Sequence, residues 1–104
     1  MSIPTFITGG AVQIQDASLT PEGYEQITAL TPAIGLVVPV DARMALIQVV
    51  TQSVRWRDDG SDPAVGTGMR ITAGEEFWYT GDLDAIKFIE EVAGAELNVS
   101  YYSS

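Results

Sequence analysis

The stretch AELNVSYY, residues 95–102, decides the fold class. Its residues form two alternating sets, one of Ala95, Leu97, Val99 and Tyr101 and the other of Glu96, Asn98, Ser100 and Tyr102. Successive side chains of a β-strand point to opposite faces, so a period of two buries one set and leaves the other in water. The stretch therefore predicts a strand of a sheet that packs on a second sheet.

Short runs of the same kind precede it, separated by glycine, proline and aspartate breaks. They are residues 24–30, 33–38, 45–51, 53–57, 68–72, 75–80 and 85–91. No segment has an apolar period of 3.6 over a helical length. Strands punctuated at this spacing are typical of antiparallel sandwiches and barrels. We therefore predict an all-β fold, an antiparallel β-sandwich resembling a jelly roll, with about eight short strands.

The alternation also predicts the core. Its expected members are Ile47, Val49, Val54, Trp56, Met69, Ile71, Phe77, Tyr79, Ile86, Phe88, Leu97 and Val99. In the strand at 53–57, Val54 and Trp56 are expected to point inward while Arg55 and Arg57 point outward.

Residues 1–23 differ from the rest because prolines and paired glycines interrupt them. Only AVQIQ, residues 11–15, alternates like a strand. We predict an extended N-terminal arm or loose first strand over 1–23 and a sandwich domain over 24–104; a first strand of the same sheet is the equal alternative. Ile3, Phe6 and Ile7 are the arm residues expected to contact a neighbouring chain.

The composition excludes several classes of partner. The chain has 104 residues, enough for one domain, and only 18% of them are charged, which favours an assembly over a free monomer. A net charge of −9 disfavours nucleic acid and anionic membrane surfaces. No apolar run approaches the roughly 20 residues of a membrane span. The start lacks the pattern of a secretory signal, so synthesis in a cytoplasm is expected.

The chain lacks the residues that most catalytic and metal sites need. It contains no histidine and no cysteine, which excludes a Ser-His-Asp triad, a thiol nucleophile and a zinc site of the usual kind. DDGSD, residues 58–62, lacks the spacing of a calcium loop and is interpreted as a solvated turn. We therefore predict no catalytic residue, no cofactor and no metal.

Carboxylates are the remaining candidates for chemistry. A glycosidase needs two of them at a fixed separation, and Glu75, Glu76, Asp82 and Asp84 are the available set. We interpret these four as ordinary turn and surface acids. An enzyme that works through carboxylates alone stays as a third hypothesis.

Two aromatic and two basic residues are candidates for an interface. Trp78 and Tyr102 fall on the outward positions of their strands. An exposed tryptophan can pack against another protein, be covered by an arm of its own chain, or stack on a sugar. Arg55 and Arg57 can pair with nearby acidic residues, or with a carboxylate of a neighbouring subunit.

Residues 53–102 carry a pattern that resembles a group of small tailed-phage and prophage proteins. The matching segments are RWRDDG at 55–60, Gly68-Met69, Ala73-Gly74, FWY at 77–79, GDL at 81–83, KFI at 87–89 and LNVSYY at 97–102.

This resemblance implies a virion structural protein without enzymatic activity, most simply a decoration (cement) protein on the capsid exterior. Such a protein binds the major capsid protein between capsomers, and closed symmetry favours a homodimer or homotrimer. The alternative is a carbohydrate- or receptor-binding β module of a phage fibre or tail.

Overall fold

A computed structural model describes residues 18–104, and in this part of the chain every regular element is a β-strand. The strands are β1 (Thr20–Ile27), β2 (Ile34–Gly35), β3 (Met44–Val50), β4 (Val54–Arg57), β5 (Met69–Ile71), β6 (Glu76–Tyr79), β7 (Lys87–Glu90) and β8 (Glu96–Ser103). Residues 18–104 contain no helix long and apolar enough to cross a bilayer. The predicted all-β class is confirmed.

The eight strands form two four-stranded antiparallel sheets. The order in the first sheet is β1-β8-β3-β6, and the order in the second is β2-β7-β4-β5. The first strand thus lies beside the last, the second beside the seventh, the third beside the sixth and the fourth beside the fifth. This is the strand order of a jelly roll, in which one long antiparallel ribbon is rolled into two facing layers.

The strand bounds differ from the prediction mainly at β1 and β2. β1 begins at Thr20, whereas the predicted arm extended to residue 23. β2 has two residues instead of the predicted run over 33–38, because the chain must leave the second sheet for the first before β3. In that crossing the backbone N–H of Val37 donates to Glu25 Oε1, 2.9 Å away, instead of to a neighbouring strand.

The core lies between the two sheets and consists of apolar and aromatic side chains. The largest fully buried residues are Tyr101, Phe88, Leu30, Ile47, Ile86, Leu97, Val49, Val54 and Val99. Trp56, Ile71 and Phe77 are partly buried and pack against this cluster, as predicted. No polar or charged residue within 18–104 is fully buried.

The prediction that Met69 belongs to the core is wrong, because its side chain is 61% exposed. Met69 pairs with Trp56 and so lies on the inward side of β5, as its alternation required. β5 is an edge strand of three residues, however, and the facing sheet does not cover this end of it. The pattern identified the face correctly but could not show that the face is uncovered there.

Two predictions fall on residues outside the described part of the chain. These are the strand-like run AVQIQ at 11–15 and the contact residues Ile3, Phe6 and Ile7. The role of the arm in contacts with other chains stays a prediction.

Candidate functional site

The outer face of the first sheet carries two rows of side chains that cross all four strands. One row is Tyr24, Ser100, Leu46 and Trp78, and the next is Gln26, Asn98, Gln48 and Glu76. The residues of a row lie opposite one another in the strand register, on the side away from the core. Together with Tyr102, the two rows are called the aromatic–amide face here.

The aromatic half of this face contains the exposed tryptophan that the sequence placed there. Trp78 is 41% exposed, and its ring lies 5.4 Å from the ring of Tyr102 at an angle of 49°. The two residues belong to strands separated by β3, so their side chains meet across that strand, in which the half-buried Leu46 is the register partner of Trp78. Tyr24, at the other end of the row, is 64% exposed. The outward orientation predicted for Trp78 and Tyr102 agrees with the strand register.

The amide half of the face is a chain of hydrogen bonds across three strands. The side-chain carbonyl of Asn98 accepts from the Tyr24 hydroxyl at 2.7 Å and from Gln26 Nε2 at 3.2 Å. Asn98 Nδ2 donates to Gln48 Oε1 at 2.9 Å. Each bond restricts a side chain that would otherwise rotate freely in water, so the face presents ordered polar groups beside its aromatic rings.

The outer face of the second sheet has a different composition. It carries four of the five basic side chains of the protein, at the strand positions Arg55, Arg57, Arg70 and Lys87. Like charges lie directly opposite each other there, since Arg55 pairs with Arg70 and Arg57 with Lys87. Opposed like charges destabilise a sheet, so each of these residues requires an acidic partner nearby.

Glu91 is the acidic partner of Arg55 and Arg70. Arg55 Nε lies 2.9 Å from Glu91 Oε2, and Arg70 Nε lies 2.9 Å from the same oxygen. The hydrogen bond from Arg70, with a further bond from Arg55, holds the pKa of Glu91 below its ordinary value. Arg55 Nη1 also donates to the backbone carbonyl of Gly68 at 3.2 Å, which ties the end of the polar loop to β4.

The three aspartates of the DDGSD segment each bind a different protein group. Asp59 forms two bonds with Arg57, of 3.0 and 2.6 Å, which lower the pKa of the Asp59 carboxyl. Asp62 pairs with Lys87 at 3.2 Å. Asp58 accepts from the Tyr79 hydroxyl at 2.6 Å. No group of three or more acidic side chains within 18–104 is arranged to hold a metal ion.

Two buried tyrosines connect the core to carboxylates at its border. Tyr79, which is 7% exposed, donates to Asp58, and Tyr101, which is 1% exposed, donates to Glu25. Burial, reinforced by the adjacent carboxylate, raises the pKa of both phenols above the ordinary value of 10.0. Gly81 lies against the Tyr79 ring: a Cβ there would be 2.7 Å from Cζ, so the GDL segment needs a residue without a side chain.

Two of the four carboxylates considered for a glycosidase, Glu75 and Asp82, serve local structure. Glu75 Oε1 accepts from the Thr72 backbone N–H at 2.7 Å, and Asp82 Oδ1 accepts from the Asp84 backbone N–H at 3.0 Å. Both bonds close turns between strands. Glu76 lies at the end of the amide row. This arrangement agrees with the interpretation of these residues as turn and surface acids.

Sequence reasoning missed Tyr24 and the three amide residues of the face. Gln48 and Asn98 stand between buried neighbours in their strands, so alternation does place them outward. Their adjacency depends on β8 lying between β1 and β3, an order that the sequence does not reveal. For the same reason, the sequence could not identify Glu91 as the partner of Arg55 and Arg70.

Comparison with protein-family models, with curated proteins and with solved structures found no match to this chain. The resemblance to phage virion proteins therefore stays a prediction that depends on the pattern over residues 53–102.

Proposed function

We propose that this protein is a non-enzymatic structural protein of a tailed-phage virion, a decoration protein that binds the major capsid protein between capsomers on the capsid exterior. In this proposal it is synthesised in the host cytoplasm and acts as a homodimer or homotrimer. It needs no metal or cofactor.

The non-enzymatic role is supported by the bonds that the ionisable side chains form with other groups of the protein. Arg55 and Arg70 share Glu91, Arg57 holds Asp59, and the two buried tyrosines bind carboxylates. These bonds fix loops and strand ends. Exposed apolar and aromatic side chains, among them Trp78 at 41% and Val40 at 82%, are then the groups available for contacts with other molecules.

The virion assignment is supported by the residue pattern from 53 to 102 and by what a decoration protein requires. Such a module must fold without cofactors or disulfides, and this chain has no cysteine. It can bind a symmetric shell through many weak contacts, because repeated copies add avidity to each site. Ile3, Phe6 and Ile7 are proposed to contact the shell or a neighbouring copy, where an extended segment can add a strand to an open sheet edge.

Cosedimentation with phage particles tests this proposal. The protein is expected in purified virions, and particles stripped of it should bind it again from solution. The triple variant Ile3→Ser, Phe6→Ser, Ile7→Ser should bind more weakly and unfold at the same temperature. The control variant Val65→Ser, Val92→Ser changes two residues that are each 55% exposed and should bind normally.

Virions that do not contain the protein would refute the assignment. Full binding by the triple variant would show that the N-terminal arm does not contribute to binding of the phage particle. Sedimentation equilibrium measures the oligomer, and a monomer at every concentration tested would contradict the proposed dimer or trimer.

A further inference from the structure

We infer that the aromatic–amide face binds a neutral oligosaccharide. This is a binding site on the sandwich itself, so it does not depend on whether the protein belongs to the head or to the tail of a phage. The inference depends on three properties of the face: its side-chain chemistry, its charge and its area.

The chemistry of the face matches the two kinds of surface that a sugar has. The C–H faces of a pyranose carry a slight positive charge, which the negative face of an aromatic ring attracts. Tyr24 and Trp78 supply exposed rings at the two ends of one row. Their strands are three spacings apart, so the backbone positions that carry the two rings are separated by about 14 Å, which suits several linked sugars better than one.

The amide row supplies partners for hydroxyl groups. A side-chain amide offers donors and acceptors on one planar group, as a sugar hydroxyl requires. The Asn98 side-chain oxygen accepts from Tyr24 and Gln26 and one Nδ2 hydrogen is donated to Gln48, so these bonds fix the orientation of both glutamines. The side-chain carbonyl of Gln26 and the side-chain NH₂ group of Gln48 have no hydrogen-bond partner among residues 18–104. They lie on either side of Asn98. Side chains ordered before binding lose less entropy when a ligand arrives.

The charge of the face selects for a neutral ligand. Its only charged member is Glu76, which is acidic, and the protein as a whole has a net charge of −9. The four basic residues of the sandwich strands lie on the opposite sheet and are paired with carboxylates there. An anionic polysaccharide would be repelled, whereas hydroxyl groups can donate to Glu76 and to the amide oxygens.

The area of the face favours an oligosaccharide over a second copy of this chain. Four strands at about 4.8 Å spacing and a strand length of about 24 Å give a face of roughly 450 Å². A specific protein–protein interface needs about 800 Å² from each partner. A short glycan needs a much smaller contact area, because contacts with the rings and amides of the two rows are sufficient for it.

Binding of defined oligosaccharides to the full-length protein tests this inference. Calorimetric titration with neutral hexose oligosaccharides should give saturable binding, and sialylated and uronic-acid oligosaccharides should give none. Trp78→Ala and, separately, Tyr24→Ala should weaken binding about tenfold or more, as expected for the loss of a stacked ring. Met69→Ala, which removes a side chain that is 61% exposed on the second sheet, is the matched control and should bind normally.

Tryptophan fluorescence provides a second measurement, since Trp56 lies against the core and Trp78 lies on the face. A neutral ligand should protect Trp78 from acrylamide. Tyr24→Ala keeps the inference testable if Trp78→Ala fails to fold, because Tyr24 is 64% exposed and Trp78 only 41%.

Several results would overturn the inference. They are the absence of binding to any neutral oligosaccharide, binding of anionic ones alone, and normal affinity in both variants. Trp78 that is inaccessible to acrylamide in the free protein would show that residues 1–17 cover the face. An oligomer lost in Trp78→Ala would show that a second copy does. Neither outcome would affect the virion proposal, which cosedimentation measures separately.

Discussion

Replacement of Tyr101 by phenylalanine should lower stability and also change how stability depends on alkaline pH. Tyr101 is 1% exposed and donates to the Glu25 carboxylate. Loss of a hydrogen bond to a charged group costs about 1.5–3 kcal/mol. Because the phenyl ring keeps its packing, this is the whole loss expected near neutral pH.

The alkaline effect follows from the raised pKa of the phenol. Above the ordinary value of 10.0 the unfolded chain releases the Tyr101 proton while the folded protein retains it, so stability falls as pH rises. Each such tyrosine contributes a slope of about 1.4 kcal/mol per pH unit. Tyr79 behaves in the same way, so above about pH 10 the slope of the wild type should approach about 2.8 kcal/mol per unit and that of Tyr101→Phe about half of that.

Urea unfolding followed by circular dichroism, at several values between about pH 8 and pH 11, measures both quantities. Phe88→Leu is the control: Phe88 is fully buried but has no ionisable group, so this variant should be less stable with an unchanged alkaline slope. A slope in Tyr101→Phe equal to that of the wild type would refute the reasoning, even if the variant were less stable at neutral pH.

Three other substitutions have defined outcomes. Glu91→Gln should destabilise the protein at neutral pH and make its stability less sensitive to acid in urea titrations. The lowered pKa of Glu91 contributes stability that is present above pH 4.5 and is lost as the pH falls through the folded-state pKa. An unchanged dependence of stability on acidic pH would contradict this. Gly81→Ala should cost about 1–3 kcal/mol in chemical unfolding by displacing the tyrosine ring beside it, whereas Gly66→Ala, with open space around its Cβ, should be neutral. Leu30→Ala should cost about 2–5 kcal/mol because Leu30 is fully buried, and Val92→Ala, at an exposed site, should change the melting temperature little; equal effects would show that the core is misidentified.

The sequence was sufficient for most of the strands because the runs that form them alternate and end at a turn residue; the bounds of β1 and β2 differ from the prediction. In β8 and the residue before it, the buried set found in the structure is Ala95, Leu97, Val99 and Tyr101, the set that the pattern selected. Local backbone preference and a period of two are both properties of a single strand, so they can be read without knowing its neighbours.

Properties that depend on which strands are adjacent could not be predicted. The amide row needs β1, β8 and β3 side by side, and the two arginine bonds of Glu91 need β7, β4 and β5 to be consecutive in the second sheet. Met69 was misassigned for a related reason, since alternation gives the direction of a side chain but not the extent of the layer that faces it. Leu30 and Leu83 are buried outside the strands, where no periodicity applies.

The pairing of β1 with β8 also determines the order in which the strands can pair during synthesis. During synthesis β1 leaves the ribosome long before β8, so the edge of β1 that β8 covers stays unpaired until β8 has been synthesised. β4 and β5 need only the short loop between them, and closing a short loop costs less entropy than closing a long one. We therefore expect β4 and β5 to pair first and β1 and β8 last. Folding should then be slow, and the unpaired edge of β1 should need protection from aggregation while the chain is being synthesised.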